Sequence, residues 1–165
     1  NNSIFSEIPL KNLINNSNDY LHSYHNYLSY FDQNKYLHTI DIINNKIILN
    51  NNKYTNVNSS KFINNSLFIL DSNIYLKAIN IVNGKFFFEV SLSKFIKLND
   101  SIINITNNDS SIIVFFESGK VIEFDISGNI VSFQNLKINN IKYVYFLDKF
   151  IIATNKKGHT YLFKQ

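Results

Sequence analysis

Short apolar runs separated by polar turn sequences recur along the chain, and the segment Lys61–Val90 shows this pattern most fully. Apolar runs of only four to six residues are too short for ordinary helices and suit strands that are covered on both faces. Asn83-Gly84 is a hairpin signal between two of these runs. The strands predicted in this segment are Lys61–Ile63, Ser66–Leu70, Tyr75–Asn80 and Lys85–Val90.

The same pattern returns at intervals of 39 to 45 residues. The matches are Asp71 on Asp32 after a shift of 39, Phe115–Asp125 on Leu70–Asn80 after 45, Gly158 on Gly119 after a further 39, and Ser6–Ile14 on Phe88–Ile96 after 82. Repeats of this length with four strands each are typical of β-propeller blades. We therefore predict an all-β fold, a β-propeller segment of about four four-stranded blades. A sandwich or meander built from the same hairpins is the alternative.

The repeats place residues 1–165 in a single propeller segment. Its blades are predicted at approximately 21–50, 61–90, 102–134 and 143–165. Residues 1–14 are predicted to form the outer strand of a preceding or closing blade, with Pro9 at the edge end of that strand. The last repeat is one strand short, and this N-terminal strand could complete it. The asparagine-rich segment Ile47–Ser60 is predicted to close the first blade and then to cross to the next as a surface loop.

Composition narrows the possible partners. The net charge is +4, but the lysines are scattered and arginine is absent, so no nucleic-acid partner is expected. The heavy use of Asn, Ile and Lys is typical of an AT-rich genome. Cysteine is absent, which excludes disulfides and cysteine zinc sites. No apolar run reaches the roughly 20 residues of a membrane span, and because the first residue is not methionine we expect residues upstream.

The repeat resembles that of the pyrroloquinoline-quinone-type (PQQ-like) β-propeller family, in which an Asp/Gly turn, an Ala-x-Asp strand end and a Thr-Gly-Lys hairpin precede a docking tryptophan. The counterparts in this sequence are Asp71, Ala78-Ile79-Asn80, Asn83-Gly84-Lys85 and Phe88. Within that family, Lys61–Gln165 is similar to the last three blades of the propeller lipoproteins of the bacterial outer-membrane β-barrel assembly machinery. Such proteins commonly have eight blades, so the chain would be half a ring; a closed four-bladed ring is the alternative.

This resemblance implies a non-catalytic interaction scaffold in the bacterial periplasm that assists outer-membrane protein assembly. Its implied partner is the central barrel subunit of that machinery, and its association with the outer membrane would come only from a lipid anchor upstream of this chain. In that family the partner is contacted through connectors between blades. The equivalent positions in this chain, expected to be exposed, are Leu92, Lys94, Phe95, Ile96 and Lys97. Alternatively, Phe95 and Ile96 fill the seam between two blades.

The same repeat also builds quinoprotein dehydrogenases, so a fragment of a PQQ-dependent enzyme is the catalytic alternative. The acidic residues at ring-like spacing are Asp32, Asp71, Glu117 and Asp148. Calcium needs six or more oxygen ligands, and these residues are more simply explained as turn formers. We therefore expect no catalytic residue, no metal site and no cofactor. An intracellular propeller that binds other proteins is a third possibility.

Overall fold

The structure is a computed structural model that describes residues 21–32, 36–54, 57–107, 110–147 and 150–164. Its strands are β1 Leu21–Tyr24, β2 Tyr27–Phe31, β3 Tyr36–Asp41, β4 Lys46–Lys53, β5 Val57–Ile63, β6 Ser66–Asp71, β7 Tyr75–Asn80, β8 Phe86–Ser91, β9 Ile102–Asn107, β10 Ser111–Phe116, β11 Lys120–Asp125, β12 Ile130–Asn135, β13 Ile141–Leu147, β14 Phe150–Asn155 and β15 Thr160–Lys164. In these ranges no helix has the length and apolar character needed to cross a membrane.

The strands form four antiparallel meanders, which are the blades. Blade 1 has the order β1-β2-β3-β4, blade 2 the order β5-β6-β7-β8 and blade 3 the order β9-β10-β11-β12. Blade 4 contains β13-β14-β15 in the described residues. The predicted all-β architecture of about four repeated blades is therefore confirmed.

Blades 2 and 3 bury apolar side chains on both faces, as the short apolar runs indicated. In β6, Leu67 and Ile69 belong to the cluster between blades 1 and 2, whereas Phe68 and Leu70 belong to the cluster between blades 2 and 3. A third cluster joins blades 3 and 4. Neighbouring residues in a strand point to opposite faces, so one apolar run supplies two seams.

Phe88 lies in the seam between blades 2 and 3. Its ring lies 6.2 Å from the Phe68 ring in its own blade and 6.0 Å from the Phe124 ring in the next. Gly128 lies against it so closely that a Cβ at position 128 would be 2.4 Å from Phe88 Cγ. Phe88 and Gly128 are therefore in close contact across the seam between blades 2 and 3.

A carboxylate begins the turn between the second and third strands in blades 1 and 2. Asp32 Oδ1 accepts a hydrogen bond from the Tyr36 backbone N–H at 2.9 Å, and its Oδ2 lies 3.2 Å from His38 Nε2. In blade 2, Asp71 Oδ1 accepts from the Tyr75 N–H at 2.9 Å, and its Oδ2 lies 3.1 Å from Lys77 Nζ. His38 also stacks on Tyr30 at 5.0 Å. Burial, with the nearby charge of Asp32, raises the pKa of the Tyr30 hydroxyl.

Blade 1 and the start of blade 2 differ in part from the prediction. The segment Ile47–Ser60 closes blade 1 as expected, but the expected surface loop is short, since β4 and β5 take up most of this segment. Its asparagines hide the strand signal, but backbone pairing to β3 needs no apolar side chain. β1 was also missed: it forms a hairpin with β2, and His25 adopts a φ of 52° in the turn. The strand predicted within residues 1–14 lies outside the described residues, as does Asp148.

Candidate interaction face

The connectors between blades and the turns between second and third strands lie at the same end of the antiparallel blades. Leu92 N–H donates to Ile74 O at 2.8 Å, and Leu136 N–H donates to Gly119 O at 2.9 Å, so each connector is tied to the turn of the blade it leaves. The Glu117 N–H donates to Ser101 O at 2.9 Å and ties the first connector to the following blade. We call this end of the blades, formed by residues 92–101, 117–119, 136–140 and 156–159, the connector face.

The connector 92–101 is anchored in the core. The Leu92 carbonyl accepts hydrogen bonds from the N–H groups of Phe95 at 2.8 Å and Ile96 at 3.0 Å, which forms a single helical turn. Leu92 is fully buried and Ile96 is 4% exposed, both in the cluster between blades 2 and 3. Phe95 is half-buried, with its ring 5.3 Å from that of Phe133. The turn directs both side chains into the seam. The expected exposure of Leu92 is therefore wrong, and Ile96 fills the seam as the alternative predicted.

The other side of the same turn faces solvent. Lys94 and Lys97 are exposed, and Leu98 is 63% exposed beside them. Within the described part of the chain neither lysine forms an ion pair. The predicted residues thus divide into two buried anchors, the half-buried Phe95 and two exposed lysines. That they bind a partner remains a prediction.

A groove of about 400 Å³ runs from this connector across blade 3. Its lining residues are Lys97, Asn99, Asp100, Glu117, Ser118, Asn139 and Asn140. Asp100 is buried, and its Oδ2 accepts a hydrogen bond from Ser118 Oγ at 2.5 Å while its Oδ1 accepts from the Ser118 N–H at 3.1 Å. Glu117 is paired with Lys156, Nζ to Oε1 at 2.5 Å. Both carboxylates are therefore already bonded to neighbouring side chains. A ligand in the groove would contact its amide groups and Lys97.

The charge of the connector face is positive. Lys137 and Lys157 join Lys94 and Lys97 as exposed lysines that form no ion pair with the described residues. The backbone fixes the second connector, since Lys137 and Asn140 both adopt a φ of 57° in the left-handed region. This part of the face was not predicted from the sequence. The adjacent pair Lys156-Lys157 is the sequence signal nearest to it, and residues 136–140 lack a distinctive motif.

The acidic residues weighed for an axial metal site lie in separate environments. Asp32 and Asp71 each bond to the turn that they begin, and Glu117 lies on the connector face. Among residues 21–164, leaving aside the short gaps, no group of three or more His, Asp or Glu side chains could hold a metal ion.

No protein-family model matches this chain, and no curated protein matches it in sequence. Solved structures do match in fold. BamB from Moraxella catarrhalis superposes with a TM-score of 0.63 at 14% identity over 88% of this chain and 42% of that chain. The WD40 domain of SCAP from fission yeast gives 0.61 at 12% identity, over 90% and 40%. The computationally designed protein Ika8 gives 0.64 at 15% identity, over 89% and 45%.

These similarities establish the propeller fold. The chain spans less than half the length of each of these three proteins. At such low identity they say nothing about which partner or compartment this chain shares with them.

Proposed function

We propose that this chain is a non-catalytic scaffold that binds another protein through its connector face. The observation that carries the proposal is the connector 92–101. It places two lysines that form no ion pair with the described residues, and an exposed leucine, on a turn fixed by buried Leu92 and Ile96. A surface held rigid before binding loses little conformational entropy when a partner docks. Exposed charges at its rim accelerate encounter with a partner of opposite charge.

The finer assignment is a role in the bacterial envelope, where the scaffold assists the assembly and insertion of outer-membrane β-barrel proteins. Two observations support it: the repeat motif around Asp71 and Asn83-Gly84-Lys85, and the fold that the chain shares with BamB. The partner in this proposal is the periplasmic region of the central barrel subunit. The location is the periplasm, with attachment to the outer membrane through a lipid anchor upstream of this chain.

The five connector residues then have different roles. Lys94 and Lys97 contact the partner, together with the accessible part of Phe95. Leu92 and Ile96 position the turn from below. Substituting Ile96 by a charged residue would therefore test the fold and not the interface, whereas the lysines can be changed without disturbing the core.

The test measures binding of the purified periplasmic region of the central barrel subunit by calorimetry at low and physiological salt. We expect K94E/K97E to weaken binding at least about tenfold, or about 1.4 kcal/mol, with the larger loss at low salt because exposed charges are screened. The matched control is K46E/K85E, which reverses two exposed lysines at the opposite end of the blades. Equal loss in both variants would contradict the connector face, and no binding by the unmodified chain would contradict the envelope role.

A further inference from the structure

A cavity of about 310 Å³ lies where the first strands of three blades come together. These strands are β5, β9 and β13, and β9 contacts both of the others. The lining includes two lysines, Lys61 and Lys142, and the serines Ser59 and Ser101. The two lysines are far apart in the sequence, and the packing of the blades brings them to one cavity. We call it the inner-strand cavity.

Hydrogen bonds between blades 2 and 3 fix the serine side of this cavity. Asn58 Nδ2 donates to the Asp100 carbonyl at 2.7 Å and to the Leu98 carbonyl at 3.2 Å. The Ile102 backbone N–H donates to Ser59 Oγ at 2.9 Å. A hydroxyl that accepts from the backbone still has its own proton to donate. The wall is therefore set in place before any ligand binds, and the Ser59 hydroxyl can donate to that ligand.

The inner-strand cavity is positively charged. Lys61 is half-buried, and it points to the same side of β5 as Ser59 because alternate residues of a strand share a face. Lys142 is exposed, and its Nζ lies 4.9 Å from the centre of the Tyr143 ring. None of the described residues in the lining is acidic. The neighbouring carboxylate of Asp100 is buried and accepts hydrogen bonds from Ser118.

We propose that the inner-strand cavity binds the phosphate group of a small ligand. A phosphate monoester carries a charge of about −1.5 to −2 at pH 7 and presents three strong acceptor oxygens. Two lysine ammonium groups match this charge, and lysine binds phosphate as a point charge. The hydroxyls of Ser59 and Ser101 supply further donors. A carboxylate has a single charge and two oxygens, so it would satisfy fewer of these donors.

The place of the cavity determines what binding would do to the fold. Its lining comes from blades 2, 3 and 4, through β5, the residue before β9 and β13. A ligand held there contacts all three blades at once. Because the cavity exists only in the folded chain, such a ligand stabilises the fold by mass action.

The first experiment follows the backbone amide signals of the chain by NMR during titration with inorganic phosphate and, separately, with glycerol 3-phosphate, at constant pH and ionic strength. We expect the amides of residues 58–61, 101–103 and 142 to shift along one saturation curve. Tighter binding of glycerol 3-phosphate would identify a phosphate ester as the ligand, and tighter binding of phosphate would identify the free ion. Shifts that do not saturate, or an equal response to acetate, would overturn the proposal.

Variants test the residues of the cavity. K61Q/K142Q should weaken binding of the tighter probe at least about tenfold. K46Q/K85Q is the matched control, because it removes the same charge from two exposed lysines at the opposite end of the blades. K142Q and S101A alone should each weaken binding severalfold, so the test does not depend on the half-buried Lys61. Equal loss in the control, or no loss in either K142Q or S101A, would contradict the proposed site.

A second measurement uses stability in place of spectra. The tighter probe should raise the urea unfolding midpoint of the unmodified chain and of K46Q/K85Q at constant ionic strength, and should leave that of K61Q/K142Q unchanged. An equal rise in all three chains would be a general salt effect and would contradict the site. Neither measurement involves a protein partner, and the connector lysines Lys94 and Lys97 stay unchanged throughout. The two proposals therefore fail independently.

Discussion

At the scale of single residues, one acceptor oxygen closes the hairpin between the third and fourth strands in each of three blades. Asp41, Asn80 and Asp125 occupy this position, and the Oδ1 of each accepts backbone N–H bonds from the turn that follows. In blade 1 and blade 3 the other carboxylate oxygen also accepts from an asparagine side chain, Asn44 at 2.7 Å and Asn129 at 2.8 Å. Asn80 shows that the turn itself does not need a charge.

The aspartates nevertheless make this turn sensitive to acid. Hydrogen bonds from the side chain and backbone of Asn44 hold the pKa of Asp41 below its ordinary value, and those from Asn129 do the same for the pKa of Asp125. When the pKa is lower in the folded chain, the unfolded chain binds the proton first. The stabilisation is thus complete above the usual carboxyl pKa of about 4 and is lost as the pH falls through the folded-state pKa.

The prediction is that D41N/D125N unfolds with less dependence on acid than the unmodified chain. Asparagine keeps the Oδ1 acceptor, as Asn80 does, but does not titrate. Urea unfolding midpoints measured at about pH 6 and about pH 3 would show a smaller decrease for the variant. If both chains lose the same stability over this range, the acid sensitivity comes from other carboxylates and not from these two turns.

At the scale of elements, most strands of blades 2 to 4 follow closely from the sequence. Compact apolar runs mark β6, β7, β10 and β11, because these strands are buried on both sides and tolerate few polar residues. The full extent of β4 and β5 could not be predicted. Their sequences, KIILNNNK and VNSSKFI, contain asparagine and serine, which interrupt the pattern of apolar residues that marks the other strands. Their pairing depends on backbone hydrogen bonds and on the register that β3 and β6 impose.

The candidate site was predictable only in part for a similar reason. The repeat located the connector, and its lysines were correctly placed at the surface. The direction of the apolar side chains depends on the single helical turn that begins at Leu92. The sequence of four residues does not by itself specify such a turn. The second connector, with Lys137 and Asn140 in left-handed conformations, comes near the first only because the blades pack side by side.

The seam between blades 2 and 3 provides a test of packing at this scale. Gly128 has a φ of 89° and would place an alanine Cβ 2.4 Å from Phe88 Cγ. Gly158 has a similar φ of 85° but nothing within 4 Å of such a Cβ. We expect G158A to cost about 1–2 kcal/mol from backbone strain alone. G128A should cost a further ~1–3 kcal/mol from overpacking against Phe88.

Chemical unfolding of both variants measures the difference. Equal losses would mean that Phe88 moves away from the new methyl group without cost, and the seam between blades 2 and 3 would not be rigid.

The anchoring of the connector can be tested in the same way. Ile96 is 4% exposed and Leu98 is 63% exposed, only two positions apart on one connector. We expect I96D to destabilise the fold by about 4 kcal/mol or more, because it buries a carboxylate with no prepared partner. L98D should change the unfolding free energy by no more than about 0.5 kcal/mol. Comparable stability of the two variants in urea unfolding would refute the buried position of Ile96.

At the scale of the whole molecule, the described residues form four blades with two different kinds of exposed surface. The connector face is polar and positive, and its backbone is fixed by hydrogen bonds between connectors and turns. The outer face of blade 4 is apolar, and none of the described strands pairs with the edge of β15. A polar, prearranged face suits a partner that binds and leaves.

The measurement that tests the central claim most directly is amide hydrogen exchange of this chain with and without the periplasmic region of the central barrel subunit. The connector face predicts that protection on binding concentrates in residues 92–101 and 136–140, at amides that are not already bonded within the fold. The turns at the opposite end of the blades, 42–45 and 81–85, should exchange unchanged. Protection of those opposite turns with none on the connectors, or no protection anywhere, would contradict binding through the connector face.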